Sequence, residues 1–367
     1  MKIRCMVQAL LTTVASGVQS AEPPFACGFD TEEEVAAWRT FRETDKLQWL
    51  SRAENAQDVK VGAGSLCLAF TPGKGTFPAI FRDLELAQPV GAVDLWVKVD
   101  RTTQVMVSLV ERAESENGSG RRGEAFSVQF HADGGKWTRA TIPLSDFARD
   151  PSSPKGDARL DPGSVGGVAV LDGLAVFAPT DGTAARFLGD HTGPQRIVLD
   201  EFRVLGVGEV RLPSRPPGTV DCFDRNYLSW VPLADVEIER APMEGTVSGY
   251  GLTARYTRGG GVIPAAMRPI QQRLAGSELG LRVRGSGPMR LQIGLEDQDG
   301  AKWHRKIDVR GEESETVWLA LTGFKASEDS RFPDRPATLD RLKLISILDA
   351  SAEPGPAWFQ IGDITVR

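Results

Sequence analysis

The chain has 367 residues, 43 Lys+Arg against 49 Asp+Glu, and a formal net charge of −6. A hydrophobic fraction of 41% with 25% charged residues is too apolar for intrinsic disorder and ordinary for a globular protein. The acidic balance gives no electrostatic reason to hold nucleic acid, no internal apolar run is long enough to span a bilayer, and the length suits about two domains of ~100–200 residues.

Met1-Lys2-Ile3-Arg4 is basic, Cys5 to Val18 is mostly apolar, and Gln19-Ser20-Ala21 leads into Glu22-Pro23-Pro24. This is the layout of a secretory signal peptide over 1–21, and it predicts a secreted or periplasmic protein. Loss of Cys5 would leave Cys27, Cys67 and Cys222, an odd number without CxxC spacing. At most one internal disulfide and no zinc site are expected. Cys67, between Leu66 and Leu68, is expected to point away from the main core.

One design is written twice. Cys27-Gly28-Phe29-Asp30 with Trp38 opens the first copy, and Cys222-Phe223-Asp224 with Trp230 opens the second. Leu66 to Phe70 answers to Leu252 to Tyr256, and Pro78 to Arg82 answers to Pro264 to Arg268. Leu95 to Val99 is matched with Leu279 to Val283, and Val107-Ser108-Leu109 with Leu291-Gln292-Ile293. Each copy closes on a strand, Ile197 to Phe202 and Phe359 to Ile364. Such internal similarity predicts two copies of one architecture. Pro213, Pro216, Pro217 and Gly218 lie between them and read as a stiff linker. The expected division is 22–206, a linker 207–219, and 220–367.

The local period is two. Val93, Leu95, Val97 and Val99 alternate with Asp94, Trp96, Lys98 and Asp100, and Met289, Leu291, Ile293 and Leu295 do the same. Such alternation predicts antiparallel strands with one buried face. Asp133-Gly134 and Asp299-Gly300 read as hairpin turns, and Glu32 to Trp38 is the best helix. An all-β chain of two tandem antiparallel β-sandwiches follows.

The opening Phe-Asp with a Trp, the Ser-Leu-x-Leu strand, Leu-Trp-Val-Lys-Val, Trp137 with Ile-Pro-Leu-Ser-Asp-Phe, and the closing Val-Leu-Asp-Glu-Phe together resemble the galactose-binding-like jelly rolls used as carbohydrate-binding modules by secreted bacterial proteins. The resemblance implies one module per copy and a polysaccharide partner. It also implies a structural calcium ion between first and last strands, with Asp30, Asp200 and Glu201 as candidates in one copy and Asp224 and Asp363 in the other. The second copy departs from the first, with Ser314 for Trp137 and Gly362 for Asp200.

No histidine pair has metal-ligand spacing among His131, His191 and His304. Gly118-Ser119-Gly120-Arg121-Arg122-Gly123 matches a dinucleotide fingerprint but has no helix after it, so it reads as a loop. Alternation predicts that Trp96, Lys98, Ser108, Ser127, Gln129 and His131 share an outward face, and that Arg282, Arg290, Gln292, His304 and Lys306 share the matching one, with Trp318 outward. A flat indole can stack on a sugar ring while amides and cations bond its hydroxyls. The leading expectation is a monomeric, non-catalytic glycan-binding protein needing no cofactor, with an adhesive envelope protein as the alternative. A hydrolase or lyase is the third reading. It would need two facing carboxylates, for which Glu111 and Glu296 are no better than solvated strand ends.

Overall fold

The computed structural model describes residues 22–41, 45–73, 77–112, 123–154, 156–177, 191–233, 235–259 and 263–367. The signal segment 1–21 and the glycine-rich motif up to Arg122 lie outside these residues. Four antiparallel six-stranded sheets form two jelly-roll sandwiches. Sheet A runs Lys46–Ser51, Gly64–Phe70, Gln195–Gly206, Val90–Val99 and Trp137–Pro143, with Phe25–Cys27 also on Gln195–Gly206. Sheet B runs Ala148–Arg149, Ala125–Ala132, Thr103–Glu111, Val165–Asp172, Ala79–Asp83 and Arg39–Thr40. Sheet C runs Glu237–Pro242, Tyr250–Arg258, Gly355–Val366, Glu278–Gly285 and Glu315–Ala320, with Thr219–Asp221 beside Gly355–Val366. Sheet D runs Val231–Leu233, Ala265–Pro269, Leu342–Asp349, Met289–Asp297, Lys302–Val309 and Lys325–Ala326. The order of C and D repeats that of A and B.

The period-two pattern sets which side chains turn inward. Val93, Leu95, Val97 and Val99 are buried, as are Met289, Leu291, Ile293 and Leu295, and each series enters the core of its own sandwich. Cys67 turns the other way, into a small cluster with Leu50, Val198 and Trp137 on the outer side of sheet A. Cys27, Cys67 and Cys222 are all buried free thiols. The α-helices among the described residues are short, Glu32–Ala36, capped by Thr31, and Gly173–Phe177. Among the described residues no helix is long and apolar enough to cross a membrane.

Both copies bend their opening segment in the same unusual way. Phe29 and Phe223 have φ of 56° and 54°, a left-handed conformation that costs a bulky residue about 1–3 kcal/mol. Both rings are buried, and burying a phenylalanine returns about 1.5–3 kcal/mol, enough to hold the bend.

One turn differs from expectation. Asp299-Gly300 does close a hairpin, between Met289–Asp297 and Lys302–Val309, with Gly300 at φ 91°. Asp133-Gly134 instead joins Ala125–Ala132 in sheet B to Trp137–Pro143 in sheet A. It carries the chain across the sandwich, so no hairpin pairing follows it.

Candidate functional site

Each sandwich offers two outer faces, and the expected site residues divide between them. Trp96 and Lys98 lie on sheet A, whereas Ser108, Ser127, Gln129 and His131 lie on sheet B. Likewise Arg282 and Trp318 belong to sheet C, and Arg290, Gln292, His304 and Lys306 to sheet D. The shared faces expected from the sequence are therefore corrected. Alternation separates inward from outward, but both sheets of a sandwich have an outward side.

The outer face of sheet A is closed. The segment between Lys46–Ser51 and Gly64–Phe70 folds over it and places the Lys60 ammonium 4.7 Å from the centre of the Trp96 ring. The Arg139 guanidinium stands 5.9 Å from the same ring. Lys98 Nζ donates to Asp58 Oδ1 at 2.8 Å and to the Gln57 carbonyl at 3.0 Å. Buried Asp94 takes two bonds from Arg139 at 3.1 Å and is also paired with Arg203. Trp96 and Lys98 are thus packing elements and not a platform for a ligand.

Sheet C is closed in the same manner. Arg282 occupies the place of Trp96, beneath the segment Met243 to Gly249, and its Nη2 donates to Ser314 Oγ at 2.8 Å. Trp318 is 36% exposed, and the Arg367 guanidinium lies 3.9 Å from its ring centre.

The calcium candidates do not form a ligand set. Among the described residues no three His, Cys, Asp or Glu side chains gather around a point that could hold a metal, and calcium takes six to eight oxygens. Asp224 is occupied by Arg215 and Arg225, at 2.6 Å and 2.7 Å. Asp363 accepts from the Val247 amide, at 3.2 Å and 3.0 Å, and Asp30 accepts from the Ala63 amide. Asp200 accepts from the amides of Lys60 and Val61 at 2.6 Å and 2.9 Å. Its Oδ1 is buried without a partner. Burial pushes this carboxyl up to about 6 against the pull of those amides. Glu201, at φ 45°, follows it in the last strand. Asp30, Asp200 and Asp363 pin the covering segments to the sheet.

The outer faces of sheets B and D carry half-buried side chains, among them Ser108, Gln129, Gln292, His304 and Ser346. A cross-strand row on sheet B runs Ala148, Ser127, Ser108, Ala169, Phe81 and Arg39. The matching row on sheet D runs Lys325, His304, Gly294, Ser346, Met267 and Val231. The middle of each row is small: Ser127, Ser108 and Ala169 in one, Gly294 and Ser346 in the other. A Cβ on Gly294 would meet Ser346 Oγ at 2.3 Å, so only glycine keeps that hydroxyl in place. On sheet D longer side chains stand on either side, Lys306, Gln292 and Leu348 along one edge and Lys302, Glu296 and Leu344 along the other. A row of small residues between taller ones is a trough. At ~4.8 Å between strands, the small stretch is about 10 Å long on sheet B and about 5 Å on sheet D.

The polar groups along these troughs are partly free. Gln129, Gln292 and Ser346 are half-buried and Lys306 is exposed. Ser108 and Ser127 bond each other at 2.7 Å. Half-buried His304 shares a 3.2 Å bond between its Nδ1 and Ser327 Oγ, and Arg290 donates to Asp308 at 2.8 Å. His131 is withdrawn from any ligand: it is buried, bonded to Asp133 at 3.0 Å, and covered by the second sandwich. The small-residue rows carry no sequence motif, and only the strand register brings them together.

That cover is a junction between the sandwiches. Arg225 donates to Asp146 through Nε at 2.6 Å and Nη2 at 2.9 Å, and Tyr227 donates its hydroxyl to Asp146 at 2.6 Å. The Leu228 carbonyl accepts from the His131 amide at 2.8 Å, and the Trp230 carbonyl accepts from Gln104 Nε2 at 3.1 Å. Burial opposes the Asp146 charge, but Arg225, Tyr227 and Arg215 outweigh it and hold the carboxyl below its ordinary range.

No protein-family model matches the chain, and no curated protein matches it. Solved structures do. The family 11 carbohydrate-binding module from Clostridium thermocellum, in complex with a β-1,3-1,4-mixed-linked tetrasaccharide, is 15% identical with a TM-score of 0.34, over 47% of this chain and 89% of that one. The tandem CBM22-1–CBM22-2 domain of Paenibacillus barcinonensis Xyn10C is 11% identical with a TM-score of 0.31, over 96% and 99%. An exo-β-agarase is 13% identical with a TM-score of 0.31, over 38% of this chain and 23% of that one. What this chain binds is a matter for its own residues.

Proposed function

We propose that this is a non-catalytic, exported protein that binds a linear polysaccharide along the troughs of sheets B and D. The observation that carries the reading is the pair of small residues at equivalent places in both copies, Ser108–Ala169 and Gly294–Ser346. An extended chain lying across the strands of sheet D would meet the Gln292 amide, which makes no hydrogen bond among the described residues, the Ser346 hydroxyl and the Lys306 ammonium. Such groups suit hydroxyls and ring oxygens. Export rests on the basic, apolar and small-residue layout of 1–21. The non-catalytic reading is supported by the two acids singled out above. Glu111 and Glu296 sit in different sandwiches, the first accepting from the Asp161 amide at 2.7 Å and the second paired with Lys343 at 2.7 Å.

Either trough alone would bind weakly, and two on one body gain by avidity when one polymer reaches both. Affinity gel electrophoresis against a panel of neutral and acidic polysaccharides tests the reading. Retardation by at least one polymer, weakened about tenfold by Ser108→Trp or Ser346→Trp and abolished by both together, is expected. No retardation by any polymer, or retardation untouched by the double variant, overturns it.

A further inference from the structure

The junction encloses a cavity of about 350 Å³, at the lower end of the ~300–1,000 Å³ usual for small-ligand pockets. Gln104, Gln129 and Asp146 line it from the first sandwich, and Arg215, Asp221, Arg268 and Gln271 line it from the linker and the second. Its hydrogen-bonding account is lopsided. Asp146 already accepts four bonds, two from Arg225, one from Tyr227 and one from Ser145. Asp221 accepts three, from the Phe223 amide, Trp230 Nε1 and Arg268 Nε, at 3.0, 3.1 and 3.0 Å. The carboxylates are well supplied with donors, whereas the donors are not all used. Arg215 uses Nε and Nη2 on Asp224, and Arg268 uses Nε and Nη1. Arg215 Nη1, Arg268 Nη2 and the side-chain amides of Gln129 and Gln271 make no hydrogen bond among the described residues. Guanidinium groups with spare N–H donors are suited to planar oxyanions. One acceptor is left over as well: Gln104 is 2% exposed and its Oε1 has no partner.

We propose that this cavity is a second ligand site, separate from the troughs, for a small sugar carrying a carboxylate. The Arg215 and Arg268 guanidiniums take the carboxylate, and the Gln104 carbonyl with the Gln129 and Gln271 amides takes the hydroxyls. The volume admits one or two sugar rings. The ligand touches both halves at once, so binding tightens the junction.

Isothermal titration of the full mature chain with glucuronate, galacturonate, glucose and acetate tests this. One equivalent of a uronate should bind, with glucose and acetate at least tenfold weaker. Arg268→Gln should weaken the uronate at least tenfold. Gln271→Trp, which narrows the cavity without touching an ion pair, should do the same while leaving the melting temperature and the retardation by polysaccharide unchanged. Glucose or acetate binding as well as the uronates, uronate binding unaffected by Gln271→Trp, or no binding of any of the four would each overturn the proposal. Polymer retention is read separately, so a chain that binds a uronate but no polymer fails the trough reading alone.

Discussion

Tyr227 belongs to the second copy by sequence, yet its ring packs in the core of the first, 5.8 Å from Phe130, while its hydroxyl donates to Asp146 at 2.6 Å. Together with Arg225 it joins the two sandwiches through one carboxylate. Removing the cation leaves Asp146 and Asp224 short of a partner in a largely desolvated place, and breaking such a pair costs about 3–5 kcal/mol. Arg225→Ala should therefore lower the melting temperature and split one calorimetric transition into two. Tyr227→Phe keeps the ring and loses only one bond to a charged group, about 1.5–3 kcal/mol. Calorimetry of both variants checks the ranking.

Asp200 gives stability a pH dependence. Its folded carboxyl is raised to about 6, above the ordinary ~3.9, so the folded state binds the proton more tightly. The stabilisation it lends is full below about pH 4 and is lost as pH rises through about 6, amounting to at most about 3 kcal/mol. Asp200→Asn keeps a carbonyl for the Lys60 and Val61 amides and carries no charge. It should flatten the profile between pH 4 and 7 and raise stability at pH 7.5 by about 1–3 kcal/mol. Urea unfolding at pH 4.5 and 7.5 decides. Asp146 works the opposite way: its carboxyl is held below the ordinary range, so the stability it lends is present above that range and is lost as pH falls through its lowered folded value.

The two tryptophans should separate under mutation. Trp96→Ala removes the surface on which Lys60 rests, and an aromatic truncation in such a place costs about 3–5 kcal/mol; polysaccharide retardation should be unchanged. Trp318→Ala removes a ring that is already 36% exposed and should cost less than about 1 kcal/mol. Thermal melts beside affinity gels measure both.

Thiol chemistry should be silent in the folded protein. Cys27, Cys67 and Cys222 are buried, and burial pushes Cys67 and Cys222 each up to about 11, where little thiolate exists at neutral pH. Ellman's reagent should react with none of the three until guanidinium unfolds the chain.

The fold was legible because inward and outward side chains alternate, and Val93, Leu95, Val97 and Val99 with Met289, Leu291, Ile293 and Leu295 are all buried. The duplication was legible for a similar reason, and Phe126 and Trp303 do occupy equivalent inward places. Fine registration was not. The last strands, aligned with Leu199 opposite Ile361, set Val97 against Val283, two residues from the match drawn between Leu95–Val99 and Leu279–Val283. The same slip makes Gly294, and not Gln292, the counterpart of Ser108. A slip of two leaves every side chain on its proper face, so alternation cannot detect it. The choice of sheet was hidden too. Val90–Val99 and Thr103–Glu111 are consecutive strands in opposite sheets, and nothing in their composition marks the crossing. The small-residue rows depend on both the register and the crossing, which is why the candidate site emerged only from the pairing.

The Tyr227 ring also bears on how the chain can be divided. A cut in the proline-bearing stretch, at 206 or at 219, would strand that ring on the wrong fragment and leave an empty socket beside Phe130 in the other. The first half is completed by a residue it does not encode, so the second copy cannot be shed without injuring the one that stays.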